Sequence, residues 1–86
     1  GLSRQPDQSA DLVVLNPPFH VGATVHSGLA TKLFRDAARV LRPGGELWTV
    51  YNSHLSYRPT LQRVVGRTLE VVRDDKFTVT VSRRLN

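Results

Sequence analysis

Three short segments differ in hydrophobic period, and their order restricts the fold more than any other feature. Asp11–Leu15, "DLVVL", is a continuous apolar run behind one acid, the pattern of a strand buried on both faces of a parallel sheet. Ser27 to Leu41 then takes a helical rhythm. Ala30, Leu33, Phe34, Ala37, Ala38 and Leu41 recur on one face, with Thr31, Lys32, Arg35, Asp36 and Arg39 between them. Glu46–Tyr51, "ELWTVY", returns to β-branched and aromatic residues. Strand, helix and strand in this sequence predict a right-handed parallel crossover.

The punctuation agrees. Ser27 suits an N-cap, although Gly28 weakens the first turn. "RPGGE" ends the helix, because Pro43 cannot continue it and Gly44 or Gly45 can turn left-handed. Ser56 to Val65 reads as a second, shorter helix with Leu61, Val64 and Val65 apolar, stopped by Gly66. Thr68–Arg73 and Phe77–Ser82 read as strands around the turn Asp74-Asp75-Lys76. The last alternates Phe77, Val79, Val81 against Thr78, Thr80, Ser82, which suits an antiparallel strand with one more polar face. Residues 1–10 read as a lead-in loop and 11–86 as the folded unit, an α/β domain in the order β-α-β-α-β-β. There is no internal repeat, linker or low-complexity segment.

An 86-residue chain is one domain. Folding at this size buries only about 60–65% of the unfolded chain's surface, so modest stability is expected. Cysteine is absent, which excludes disulfides and thiolate metal sites. His20, His26 and His54 match no zinc spacing, so no metal is expected. No apolar run approaches the ~20 residues needed to span a bilayer, and no signal core is present, which makes the cytoplasm the default location. Twelve Lys/Arg against seven Asp/Glu give a net charge of +5 and point to an anionic partner, most simply nucleic acid.

The end of the first strand is chemically unusual. In "NPPF", Asn16 offers a carbonyl acceptor and an amide donor. Pro17 and Pro18 lack N–H groups and each pushes the preceding residue toward an extended backbone, so their carbonyls are free acceptors on a stiff chain. Phe19 adds a flat apolar face. An acceptor pair beside a stacking platform suits a planar ring carrying an exocyclic –NH₂. Ligands of open α/β sheets bind beyond the carboxyl ends of the parallel strands, which is where this corner falls.

The corner resembles the [D/N/S]-P-P-[Y/F/W] signature of AdoMet-dependent amino-methyltransferases. "NPPFH" with Gly22 and the later "LRPGGEL" resemble the ribosomal RNA guanine-N2 methyltransferases, and "VYNSHLSY" and "DDKF" look most like their large-subunit member. The likeness runs from about Asp11 to Arg83. It implies the C-terminal half of a class I, Rossmann-like fold, with an antiparallel last strand. It also implies AdoMet as cofactor and ribosomal RNA as partner. Asn16, Pro17, Pro18 and Phe19 would form the catalytic corner, Asn16 and Pro17 would touch AdoMet, and Phe19, His20 and His54 would touch the substrate. The family's glycine-rich turn after a first strand, and the acid that ends its second, have no counterpart here. A complete cofactor pocket in this polypeptide, and activity from it alone, are therefore not expected.

Plainer roles compete. Asn16 could simply close a strand, Phe19 could pack in the core, His20 could cap the loop, and His54 and Tyr57 could be structural. Arg35, Arg39 and Arg42 would lie along one helix side, as a solvated face or as contacts to RNA phosphate. Ser53 and His54 lack the elbow and the orienting acid of a hydrolase. A noncatalytic RNA-binding or scaffold fragment is the alternative to an enzyme, and adenine N6 or a glutamine amide are the alternative substrates. An unpaired edge on strand 11–15 would invite self-association.

Overall fold

The computed structural model describes residues 1–17 and 27–85, with only the backbone of Ser27. A 3₁₀ turn, Leu2–Arg4, precedes β1 (Ala10–Leu15), α1 (Ser27–Val40), β2 (Leu41–Asn52), α2 (Arg58–Val64), β3 (Thr68–Arg73) and β4 (Phe77–Arg83). The order is the expected β-α-β-α-β-β. The four strands form one sheet in the order β1-β2-β4-β3, with β1 and β2 parallel and β4 antiparallel to both its neighbours. No described helix is long and apolar enough to cross a membrane.

Both helices cover the same face of the sheet, and the core lies beneath them. Ala30, Phe34 and Ala37 of α1 meet Leu61 of α2 and Val13, Leu47 and Tyr51 of the sheet, all buried. The Phe34 ring stands edge-on to Tyr57 at 5.5 Å, and Tyr57 stands edge-on to Tyr51 at 5.3 Å, so Tyr57 packs as the plainer reading expects.

The two sheet faces carry an unexpected chemistry. On the covered side, register sets Val13, Leu47, Ser82 and Thr68 in one row and Leu15, Thr49, Thr80 and Glu70 in the next. The polar side of β4 is thus the buried one, with Thr78, Thr80 and Ser82 almost inaccessible. Thr68 and Ser82 exchange a hydroxyl hydrogen bond of 2.8 Å, as do Ser53 and Thr78. Thr68 Oγ1 also donates to the Gly66 carbonyl. The other side carries Val14, Trp48, Val81 and Leu69 in one row and Val50, Val79 and Val72 in the next.

That second side corrects the reading of Asp11–Leu15 as a strand buried on both faces: Leu12 is 56% and Val14 64% exposed. Only α1 and α2 pack on the sheet among the described residues, and they share one side. A run apolar at every position fits burial on two faces, but this chain supplies cover for one. β1 is also an edge strand.

The segment "RPGG" is a second correction. It is not a turn between helix and strand; α1 stops at Val40 and the residues from Leu41 already belong to β2. Ala10 aligns with Leu41 while Leu12 aligns with Glu46, so a wide bulge absorbs Pro43 and both glycines. Backbone bonds between Gly44 and Arg84 and between Arg84 and Gly45 hold the bulged segment to the chain end. Gly44 takes the left-handed conformation, with φ +83°.

The lead-in is more ordered than a loop. Arg39 Nη1 donates to the Gln5 carbonyl (2.8 Å) and to Asp7 Oδ1 (2.7 Å), and Nη2 to the Leu2 carbonyl (2.9 Å). Arg42 lies in β2 rather than on the helix and pairs with Asp11 at 3.3 Å. Arg39 and Arg42 therefore do not share one helix side; both tie the chain's start to the α1–β2 junction. Arg35 remains exposed.

Two measurements check this packing. At Gly66, φ is +153° and an added Cβ would fall 2.0 Å from the Arg83 carbonyl oxygen, whereas nothing lies within 4 Å at Gly28. Gly66→Ala should cost at least about 1–3 kcal/mol from backbone conformation alone, and Gly28→Ala should gain up to ~1 kcal/mol of helix propensity; thermal unfolding of both reads the contrast. The Thr49 hydroxyl is buried without a hydrogen-bond partner among the described residues. Thr49→Val should therefore raise stability by about 1 kcal/mol in urea unfolding, since it removes an unpaired buried group.

Candidate active site

Parallel pairing of Leu15 with Thr49 brings the end of β1 beside the final residues of β2. The loop Asn52–Tyr57 leaves the sheet at that same edge. The hairpin between β3 and β4 turns there too, because Asn52 of β2 pairs with Phe77, the first residue of β4. Three connections from distant parts of the sequence thus converge on the carboxyl edge.

Asn16 follows directly on β1 and is exposed, while Pro17 is buried. An exposed amide on a buried, φ-restricted neighbour is a polar group held from behind. Pro18, Phe19 and His20 lie outside the described residues, as do Gly22 and His26.

His54 is exposed in the loop after β2. The loop begins with a turn in which the Leu55 N–H donates to the Asn52 carbonyl (2.9 Å). Ser53 beside it is buried and fully engaged. Its N–H donates to the Lys76 carbonyl, and its hydroxyl donates to the Asp74 carbonyl at 2.8 Å and lies 2.8 Å from the Thr78 hydroxyl. Ser53 is a rivet between the loop and the hairpin and not a nucleophile, consistent with the missing elbow. Little in the sequence signals this, because a serine after a strand is compatible with many roles.

The hairpin is closed by Asp74. Its Oδ1 accepts from the Lys76 N–H (2.8 Å) and the Phe77 N–H (2.7 Å), while its own N–H donates to the Phe77 carbonyl (2.9 Å). The backbone bonds from Phe77 and Lys76 hold this carboxyl below its ordinary value of 3.8. Burial raises the phenols of Tyr51 and Tyr57 above the ordinary 10.0.

The arrangement furnishes one wall of a site. Asn16 offers an exposed polar side chain at this edge. Gly44 and Gly45 lie at the amino end of β2, the opposite edge of the sheet, and so cannot cradle a cofactor beside Asn16. Among the described residues no group of three His, Asp or Glu side chains could hold a metal.

The chain matches the family description "Methyltransferase small domain" over residues 1–81. It is 49% identical over 79 residues to the ribosomal RNA large subunit methyltransferase G of Streptomyces coelicolor, covering 92% of this chain and 21% of that protein. It is 46% identical to the protein of the same name from Stutzerimonas stutzeri, with the same coverage. The chain thus spans about a fifth of the length of the curated relatives it matches. Among solved structures, the T. thermophilus 16S rRNA N2 methyltransferase in complex with AdoMet and guanosine superposes with a TM-score of 0.81 at 22% identity, over 99% of this chain and 23% of that one. At that identity the likeness shows the fold: the four strands and two helices form part of a class I methyltransferase sheet.

The Asp74 turn gives a pH test. Its folded carboxyl is the stronger acid, so the ionised form favours the folded turn. The stabilisation is complete above pH 3.8, the ordinary value, and is lost as pH falls through the lower folded value. The amide signals of Lys76 and Phe77 should shift together in that acid range. In Asp74→Asn the amide oxygen keeps the turn while this pH dependence disappears.

Proposed function

We propose, for a chain that belongs to the methyltransferase small domain family, that it supplies the substrate-amine side of an AdoMet-dependent N-methyltransferase acting on the N2 amine of a guanine in ribosomal RNA. The observation that carries this reading is Asn16, exposed at the carboxyl edge directly after β1 and backed by buried Pro17. The relatives' names, the basic charge and the NPPFH and PGGEL strings support it.

The chain's own residues act by position. The Asn16 side-chain oxygen and the Pro17 carbonyl accept the two hydrogens of the amine. Because Pro17 is buried and its φ is restricted, these acceptors do not reorganise when the substrate arrives. Holding both hydrogens fixes the plane of the –NH₂ group, so its lone pair points along one line. Asn16 and Pro17 would form one wall against bound AdoMet, whose sulfonium would supply the electrophilic methyl group, the S–C bond breaking as the N–C bond forms. Alignment of reacting atoms about 3–3.5 Å apart is worth several kcal/mol. Pro18 and Phe19 complete the corner in sequence, and a Phe19 ring stacked on the base would recover part of the few kcal/mol spent in unstacking it from RNA. His54, exposed after β2, would meet the substrate at this edge, and His20 is assigned to the substrate from the sequence alone. The amine sheds its proton after transfer, so no strong base is required at the corner. The cradle for the rest of AdoMet lies outside these 86 residues, and the chain alone is inactive. The open edge of β1 is where a further strand pairs, from another copy or another segment.

In the full polypeptide that carries this sequence, Asn16→Ala should lower methyl transfer to RNA by at least about 100-fold, the scale of a misplaced reactive group. Circular dichroism and thermal unfolding should remain unchanged. Product analysis by mass spectrometry identifies the methylated nitrogen, and undiminished transfer by the variant would remove this role for Asn16.

A further inference from the structure

We propose that the crevice between the end of β2, the end of β3 and the start of α2 binds a backbone phosphate of a single-stranded RNA through Arg58 and Arg73. The proposal rests on the RNA substrate assigned above and adds a second point of contact at the same edge of the sheet.

The crevice has a volume of about 290 Å³ and is lined by Tyr51, Ser53, Ser56, Arg58, Glu70 and Arg73, with Leu55 and Pro59. That volume is many times the ~10–15 Å³ that one water needs, so the crevice has room for a ligand larger than water. The two guanidiniums come from different elements and are each held by one carbonyl. Arg58 Nε donates to the Thr68 carbonyl (3.3 Å), and Arg73 Nη2 donates to the Ser53 carbonyl (3.1 Å). A guanidinium has five N–H donors, so each keeps donors for a ligand after this anchoring. Anchoring also lowers the side-chain entropy lost on binding. Ser56 and Tyr51 add hydroxyl groups to the lining. Glu70 is the one acid in the lining. Its carboxylate lies 3.8 Å from Arg73 Nη1, long for a tight pair, and leaves two positive groups against one negative.

Position separates this crevice from other basic surface. Arg39, Arg42 and Arg84 lie toward the amino end of β2, away from the carboxyl edge, where they hold backbone carbonyls, Asp7 or Asp11. A second crevice carries Arg67, Arg83 and Glu46, but its floor is Leu69 and Val81 and it opens on the apolar side of the sheet, toward the amino end of β2. The Arg58–Arg73 crevice has a polar lining. It also joins the carboxyl edge through Ser53, which neighbours His54 and bonds the hairpin. Asn16 follows β1 and Arg73 ends β3, the two outer strands, so one RNA that reaches both would cross the ends of β2 and β4 along this edge.

The test is fluorescence anisotropy of a short labelled single-stranded RNA with the 86-residue chain across a KCl series. Arg73→Ala and Arg58→Ala should each weaken binding about three- to fivefold, the scale of a partly exposed ion contact. Each should also lower the slope of log affinity against log salt by about 0.7. Arg73→Lys and Arg58→Lys keep the charge and should keep the slope, which covers the case in which an alanine variant unfolds by circular dichroism. Arg67→Ala, an equal charge loss in the other crevice, should change affinity less. The proposal is overturned by no RNA binding, by unchanged affinity and slope in the Arg58 and Arg73 variants, by an equal loss in Arg67→Ala, or by inorganic phosphate competing as strongly as the RNA at equal phosphate concentration. Binding is read without transfer, so the two readings fail separately. Asn16-independent methylation removes the corner alone, and Arg58- and Arg73-independent binding removes the crevice alone.

Discussion

β2 belongs to two ladders of opposite sense, and everything at the carboxyl edge depends on that. Its parallel partner β1 requires a crossover, which α1 provides across the covered face. Its antiparallel partner β4 requires only a return, which the hairpin from β3 provides. The result is that β1, β2 and the β3–β4 turn all finish on one side. A parallel neighbour in place of β4 would send the hairpin to the far edge and leave Asn16 with only the loop after β2. The reversed last strand is therefore what brings Ser53 within reach of Asp74 and Thr78.

The fastenings at this edge are small and local. Ser53 joins loop to hairpin, Asp74 closes the hairpin on itself, and Arg73 reaches back to the Ser53 carbonyl. None is a large apolar contact. The apolar weight sits further down, where Phe34, Leu47 and Leu61 meet. Such a division suits a binding edge: the core fixes the strands, and short polar links set the loops without filling the space a ligand needs.

Much of the fold was legible in the sequence because each element kept its own period. The α1 rhythm of Ala30, Phe34 and Ala37 is the buried stripe observed, and the alternation in Phe77–Ser82 marks an antiparallel strand. What escaped did so for physical reasons. Alternation does not say which side faces inward, and here hydroxyls that bond one another across strands make the Thr and Ser side the buried one. A fully apolar strand reports suitability for two-sided cover and not its presence, hence the exposure of Leu12 and Val14. Pro43 and two glycines read as a turn, yet a bulge carries them inside β2. Arg39 looked like solvated charge because its partners, Leu2, Gln5 and Asp7, are far away in the chain. For the candidate site, the sequence singled out Asn16 and Pro17 through backbone chemistry that prolines make explicit. The Arg58–Arg73 crevice depends on two elements meeting and left no local mark.

The sheet buries the hydroxyls of β4 beside its apolar core and leaves a second apolar side facing outward. Leu12, Val14, Leu69, Val72 and Phe77 are each about half exposed or more, on a surface also floored by Trp48, Val50, Val79 and Val81. Attraction between such surfaces weakens on cooling and strengthens with sulfate or phosphate salts. Handled by itself, this polypeptide should therefore disperse best in the cold and away from sulfate or phosphate salts.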